Sequence, residues 1–469
     1  MKRLYDRLEE YSRQDYYGFH MPGHKRNTEI LGVDLPYAID ITEIDGFDDL
    51  HHADGILKEA QERAASVFGA DETHFLVNGS TVGILSGILG STKKGDKILV
   101  ARHCHKSVHH AIYLNELRPR YLYPDFDGEK HWNGEIRAED VRKALEEEPD
   151  IRAVVVVSPN YDGVVSDIRE IARIVHEKGI FLIVDEAHGA HFGFHPYFPE
   201  RSNGLGADVV IQSLHKTLPS LTQTALLHMN GPIANRERIR RYLDMLQSSS
   251  PSYVFMASMD ACIDFVAGEE GARAFHIYAE RLAETRNKLA SLRFLRLLES
   301  DHYDPSKIVI SVSKANLTSH ELYEKLLRDY HLQMEMVAGT YLIAMTSVAD
   351  TKEGLDRLVK ALLEIDGELE EPKCCAEISG ELPRQEQVFT PFEIAEKNEQ
   401  GLGESISWRQ SEGRVSMEYA YLYPPGSPVI VPGERISREA VELLAFYEEQ
   451  KFQIEGIQEK GRIRVLKNE

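Results

Sequence analysis

The chain has 469 residues, 42% hydrophobic and 28% charged, a composition ordinary for a globular protein and long enough for two or three domains around a large core. Fifty-four basic residues face 76 acidic ones, and the net charge of −22 excludes a polyanionic partner such as nucleic acid, since no basic patch reverses it. Four cysteines, Cys104, Cys262, Cys374 and Cys375, offer neither a disulfide framework nor a paired zinc spacing, which points to a reducing cytoplasm.

The N-terminus, Met1-Lys2-Arg3-Leu4-Tyr5, lacks the apolar stretch of a signal peptide, and no run approaches the roughly 18 apolar residues a membrane helix needs. From about residue 75 to 230, short β-branched runs alternate with amphipathic stretches, the pattern of βαβ units around a buried parallel sheet. Strands are predicted at Phe75–Val77, Lys97–Val100, Ala153–Val157, Ile180–Val184, Val209–Ile211 and Ala225–His228. Helices are predicted at Val82–Leu89, Val108–Leu117 and Ile168–Lys178, where apolar residues recur at intervals of three and four. A charged helix over Glu269–Leu292 leads into a smaller αβ region with strands at Lys307–Val312 and Tyr341–Met345. The domains expected are an N-terminal arm (1–50), a large domain (51–290), a small αβ domain (291–365), a Glu/Gly/Pro-rich linker (366–386) and a C-terminal domain (387–469).

Open sheets of this kind bind ligands at the carboxyl ends of their strands, so the residues just beyond each strand carry the chemistry. Lys216, in Ser213-Leu214-His215-Lys216-Thr217, follows one strand and lies 31 residues after Asp185, which ends another. A lysine there can hold an aldehyde cofactor as a Schiff base, with the buried carboxylate of Asp185 keeping the cofactor's ring nitrogen protonated. Asn78-Gly79-Ser80-Thr81 lies between a strand and a helix, where a glycine turn, free N–H groups and hydroxyls can cradle a phosphate, although a plain helix cap explains Ser80 or Thr81 alone. His105 can stack on a pyridine ring; the histidines around it, His103, His109 and His110, lack any established metal spacing, so no metal is expected. Asp185-Glu186-Ala187-His188 is shared with some helicases, but the phosphate loop they require is absent from the sequence.

Taken in order, phosphate turn, stacking histidine, ring-nitrogen aspartate and Schiff-base lysine resemble the aspartate-aminotransferase fold (fold type I) of pyridoxal-phosphate (PLP) enzymes. Within it, the chain resembles the Orn/Lys/Arg decarboxylase family in its short form, without an N-terminal receiver-like domain. The residues that carry this are His20-Met21-Pro22-Gly23-His24-Lys25, Asp45-Gly46-Phe47-Asp48-Asp49-Leu50-His51-His52, His103-Cys104-His105-Lys106-Ser107, Asp185-Glu186-Ala187-His188, Ser213-Leu214-His215-Lys216-Thr217, Gln247-Ser248-Ser249-Ser250-Pro251-Ser252-Tyr253 and Tyr423-Pro424-Pro425-Gly426-Ser427-Pro428 running to Pro432-Gly433-Glu434. His103 stands where the family would be expected to have asparagine.

The resemblance implies decarboxylation of arginine, lysine or ornithine to the amine, in polyamine synthesis, with Lys216 as the Schiff-base lysine, Asp185 on the ring nitrogen and His105 on the ring. It further implies Gly79, Ser80, Thr81, Ser213 and His215 around the phosphate, His188 near the ring hydroxyl, and Lys216 or His215 returning a proton to Cα. Glu335, with Asp48 and Asp49, would recognise the cationic end of the substrate, and Ser249 would reach the cofactor of a partner subunit, making the protein at least a homodimer. Competing readings are another PLP reaction such as transamination, for which no carboxylate-binding arginine can be placed, and a non-catalytic scaffold of the same fold.

Overall fold

The computed structural model describes residues 2–14, 20–27, 29, 33–370, 381–422, 427–449 and 452–468; Cys374, Cys375 and residues 423–426 lie outside them. The fold is α/β, with mostly parallel principal strands and smaller antiparallel sheets. The principal strands are β1 (Glu72–Leu76), β2 (Lys97–Ala101), β3 (Arg118–Leu122), β4 (Ile151–Val157), β5 (Phe181–Asp185), β6 (Val209–Ser213) and β7 (Ala225–Met229). The helices that position the site are α1 (Ile56–Phe68), α2 (Gly79–Ser91), α3 (Lys106–Leu114), α4 (Leu214–Thr217) and α5 (Arg236–Leu246). Two compact units divide the chain, one of residues 1–91, 181–279 and 347–349, the other of 92–180, 280–346 and 350–469.

In the first unit the strand order is β1-β7-β6-β5. β7 runs antiparallel to both neighbours, and Ala225 at its start pairs with Leu76 and with Ser213. That register brings the carboxyl ends of β1 and β6 level, while parallel pairing sets Asp185, the end of β5, against Ile211. Every residue of β6 and β7 is buried, as expected of strands covered on both faces. Helix α2 approaches this sheet closely because it is rich in glycine. A Cβ at Gly83 would lie 2.7 Å from Leu76 Cδ1, and one at Gly90 would lie 2.8 Å from the Cα of Ile239 in α5.

In the second unit β4-β2-β3 pair in parallel. A four-stranded antiparallel sheet orders Arg296–Leu298, Lys307–Ser311, Tyr341–Met345 and Met336–Val337, over a core that includes Trp132, Val164, Leu298, Val309 and Tyr341. A further cluster gathers Trp408, Ile430, Ile436, Leu444, Ile463 and Val465.

Several expected boundaries move. The strand expected at Phe75–Val77 covers Glu72–Leu76, because the half-buried Glu72 and His74 alternate with buried Thr73 and Phe75 on an edge strand, so pairing rather than an apolar run sets its start. The helix expected at Val108–Leu117 covers Lys106–Leu114, capped at its start by His105, whose Nδ1 accepts the Ser107 N–H. Arg118-Pro119-Arg120-Tyr121-Leu122 was not anticipated as a strand; it pairs on β2 alone, and a proline is tolerated at such an edge. The stretch expected as a linker from residue 366 begins inside a helix, Lys352–Glu368, where the Asp366 carboxylate accepts the N–H groups of Arg293, Phe294 and Leu295.

Candidate active site

The end of β6 turns directly into the one-turn helix α4, which carries His215 and Lys216 and leaves both side chains half-buried. Lys216 Nζ lies 3.0 Å from His188 Nε2. His188 is itself buried, three residues beyond the end of β5. Asp185 is 3% exposed, and among the described residues its one hydrogen bond is from the Ala187 N–H at 3.1 Å. Burial pushes the Asp185 carboxyl above its ordinary range, while the Lys216 charge and the Ala187 N–H pull it back. A buried carboxyl so thinly supplied with donors fits a protonated ring nitrogen, whose charge would hold it ionised.

The hydroxyls of Ser80 and Ser213 meet at 2.6 Å, joining the first turn of α2 to the end of β6, as the shared register at Ala225 requires. Gly79 opens α2 at φ +74°, a left-handed conformation that favours glycine, and Thr81 is exposed on the same turn. A helix start with two hydroxyls and first-turn N–H groups fits a phosphate. His215 Nδ1 lies 2.9 Å from the Thr224 carbonyl, and because a carbonyl only accepts, Nδ1 carries the proton. Burial lowers the pKa of His215, which favours the neutral ring.

Sequence reasoning left Gln223 unmarked and quoted Gln247 only as part of a segment, with no role of its own. Val77 donates its N–H to Gln247 Oε1 at 2.9 Å and accepts from Gln223 Nε2 at 2.7 Å, so two glutamines grip the link between β1 and α2. Glu186 was also left unassigned: buried beside Asp185, it takes hydrogen bonds from Ser202 N–H at 2.9 Å and Gln212 Nε2 at 2.6 Å. Burial raises its pKa to about 7.

Asp48, expected at the substrate, holds its own chain in the structure. Its oxygens take the N–H groups of Asp49, Asp54, Gly55 and Leu57 at 2.8–3.0 Å, fixing the entry to α1. Asp49 accepts the His51 N–H at 2.9 Å and faces His52 Nδ1 at 3.1 Å. Ser249 is exposed, next to Ser248, whose N–H donates to Asn78 Oδ1 at 3.0 Å.

The remaining predicted residues lie in the second unit. His105 Nδ1 accepts from the Ser107 hydroxyl at 2.8 Å as well as from its N–H, which orients the ring. Just before it, the Arg102 guanidinium is buried and donates to Pro428 O, Val429 O and Glu434 Oε2, and Ser427 Oγ donates to the His103 carbonyl. Glu335 is exposed and takes the Tyr161 hydroxyl at 2.5 Å. Among the described residues no group of three metal-ligating side chains forms, and no helix is long and apolar enough to cross a membrane.

The family model described as Orn/Lys/Arg decarboxylase, major domain, matches residues 2–325, and the one described as Orn/Lys/Arg decarboxylase, C-terminal domain, matches residues 376–460. Bacillus subtilis YaaO, itself uncharacterized, is 35% identical to the chain over 99% of both. The arginine decarboxylase of Bacillus subtilis is 30% identical, covering 99% of this chain and 98% of its own. Among solved structures, the constitutive lysine decarboxylase of E. coli superposes with a TM-score of 0.84 at 21% identity, over 99% of this chain and 82% of its own. A structure described as SPT with PLP shares the fold at a TM-score of 0.52 and 18% identity, over 66% of this chain and 76% of its own. With its major-domain match spanning more than half of the sequence and full-length relatives at 30% identity and above, the chain belongs to the Orn/Lys/Arg decarboxylase family.

Proposed function

We propose that the protein decarboxylates a basic L-amino acid with PLP bound at Lys216, releasing CO2 and the corresponding amine in the cytoplasm. Arginine is the substrate we favour, because full-length relatives at 30–32% identity bear that name, whereas the lysine decarboxylases stand at 23%. The observation that carries the reading is the contact of Lys216 Nζ with His188 Nε2, beside a buried carboxyl and a helix start lined by hydroxyls.

The chemistry supplied when PLP is bound is an electron sink for the pair left at Cα as CO2 departs. Lys216 must shed a proton before its amine can act as a nucleophile, and His188 Nε2 at 3.0 Å is placed to take it. Asp185 would keep a positive charge on the ring nitrogen, because its own burial penalises an unpaired carboxylate. Ser80, Ser213, Gly79 and Thr81 would hold the phosphate through hydroxyls and N–H groups. His215 is a poor acid, since its Nδ1 proton is committed to Thr224 O, so Lys216 returns the proton to Cα.

On the resemblance, His105 is assigned to the ring face, Glu335, Asp48 and Asp49 to the substrate's cationic end, and Ser249 to a partner subunit's cofactor in a homodimer or larger assembly. The test incubates the purified protein and PLP separately with L-arginine, L-lysine and L-ornithine and identifies the amine by mass spectrometry. Agmatine, cadaverine or putrescine supports the reading and names the substrate. PLP binding without any of the three amines sinks it.

A further inference from the structure

The link between β1 and α2 consists of Val77 and Asn78, and it delivers the turn Gly79–Thr81. Its polar groups are held from the far end of α5. Gln247, the residue after that helix, accepts the Val77 N–H at 2.9 Å and donates to Phe75 O at 3.3 Å, and Ser248 donates its N–H to Asn78 Oδ1 at 3.0 Å. What fixes Ser248 comes from a third segment. His51 Nε2 lies 2.8 Å from the Ser248 carbonyl, and His51 Nδ1 lies 3.3 Å from Asp244 Oδ1 in α5. Both atoms facing this ring are acceptors, and the ring stands between the Ser248 carbonyl and Asp244 of the helix that precedes it. The His51 side chain is 9% exposed, while its partner Asp244 is 60% exposed, so the ring itself is the sheltered member of the chain of contacts.

We infer that His51 is a positioning residue for the phosphate turn, acting through Ser248 and Asn78. The inference rests on the PLP reading above and adds to it a residue that touches neither cofactor nor substrate. A phosphate cradle built from N–H groups and hydroxyls binds well only when those donors stand still, and a support one layer out is commonly worth tenfold or more in affinity. A purely architectural histidine would instead affect folding and leave cofactor affinity alone.

The experiment titrates PLP into the apo protein, following intrinsic fluorescence, for wild type, His51→Ala, Asn78→Ala and the double variant, with apo melting temperatures recorded alongside. His51→Ala is expected to raise the PLP Kd about tenfold while the substrate KM at saturating PLP stays within about twofold. The double variant is expected to bind PLP no more weakly than Asn78→Ala, because residues in one chain of contacts are not additive. A melting temperature that falls with Kd unchanged, or fully additive losses, overturns the inference. Should His51→Ala fail to fold, His51→Gln, which supplies fewer well-placed donors, must still weaken PLP about threefold, and an unchanged Kd for it overturns the inference equally. If wild-type protein does not bind PLP, the functional reading itself falls; if it binds and the variants bind as well as wild type, only the role of His51 does.

Discussion

At the level of single residues, Lys216 and Asp185 were legible because each follows a short apolar run and sits in a compact motif. Gln223 was not, and Gln247 was quoted without a role, since a glutamine carries no pattern of its own and these two matter only through long-range contacts that bring positions 77, 223 and 247 together. Replacing Lys216 by Ala removes the amine the reading depends on, so amine production should fall at least ~10³-fold while the fold persists, measured as product by mass spectrometry alongside circular dichroism. Glu186 permits a pH prediction. Its folded-state pKa lies at about 7 against an ordinary value of 4.5, so it favours the protonated fold, and its contribution is fully present below about pH 4.5 and is lost as pH rises through 7. The displacement corresponds to roughly 3 kcal/mol. Glu186→Gln should therefore flatten the fall in melting temperature between about pH 5 and pH 8, and parallel curves for variant and wild type would contradict the assignment.

At the level of elements, interior strands were the easy part: β6 and β7 are buried throughout and β5 from its second residue, with no solvent-facing polarity to interrupt them. The edge strands β1 and β3 were blurred or missed because two of five residues in β1 and four of five in β3 are not buried, and most of these are polar. Helix α2 shows a second limit. Its apolar and glycine residues run all round the helix, so periodicity could not tell which face meets the sheet, whereas the contacts of Gly83 and Gly90 do. Those contacts make a sharp prediction. An added methyl at Gly90 meets the Ile239 backbone nitrogen at 2.9 Å, and backbone cannot swing aside as a side chain can. Gly90→Ala should cost about 1–3 kcal/mol despite alanine's better helix propensity, and should move the turn that α2 carries. A melting temperature at or above wild type would show that the two helices have room to separate.

For the molecule as a whole, the partition into two units was not legible, because each is assembled from distant stretches of sequence and only long-range contacts define them. The same blindness hid the tie between Arg102 and Glu434, 332 residues apart, although Glu434 lies in a segment that sequence reasoning had quoted. Their side chains are 1% and 0% exposed, and the guanidinium also donates to two carbonyls, while Glu434 accepts the Val431 N–H at 2.8 Å and Gln385 Nε2 at 3.0 Å. Burial raises the Glu434 pKa and Arg102 opposes it, so each charge is tolerable only with the other. Glu434→Ala should leave a buried guanidinium uncompensated and cost about 3–5 kcal/mol, whereas the paired replacement Arg102→Met with Glu434→Leu should lose much less, because it removes both desolvated charges at once. Thermal denaturation of the three proteins decides it. A double variant melting no higher than Glu434→Ala would mean that the bonds to Pro428 and Val429, rather than the ion pair, are what Arg102 contributes to holding this part of the second unit together.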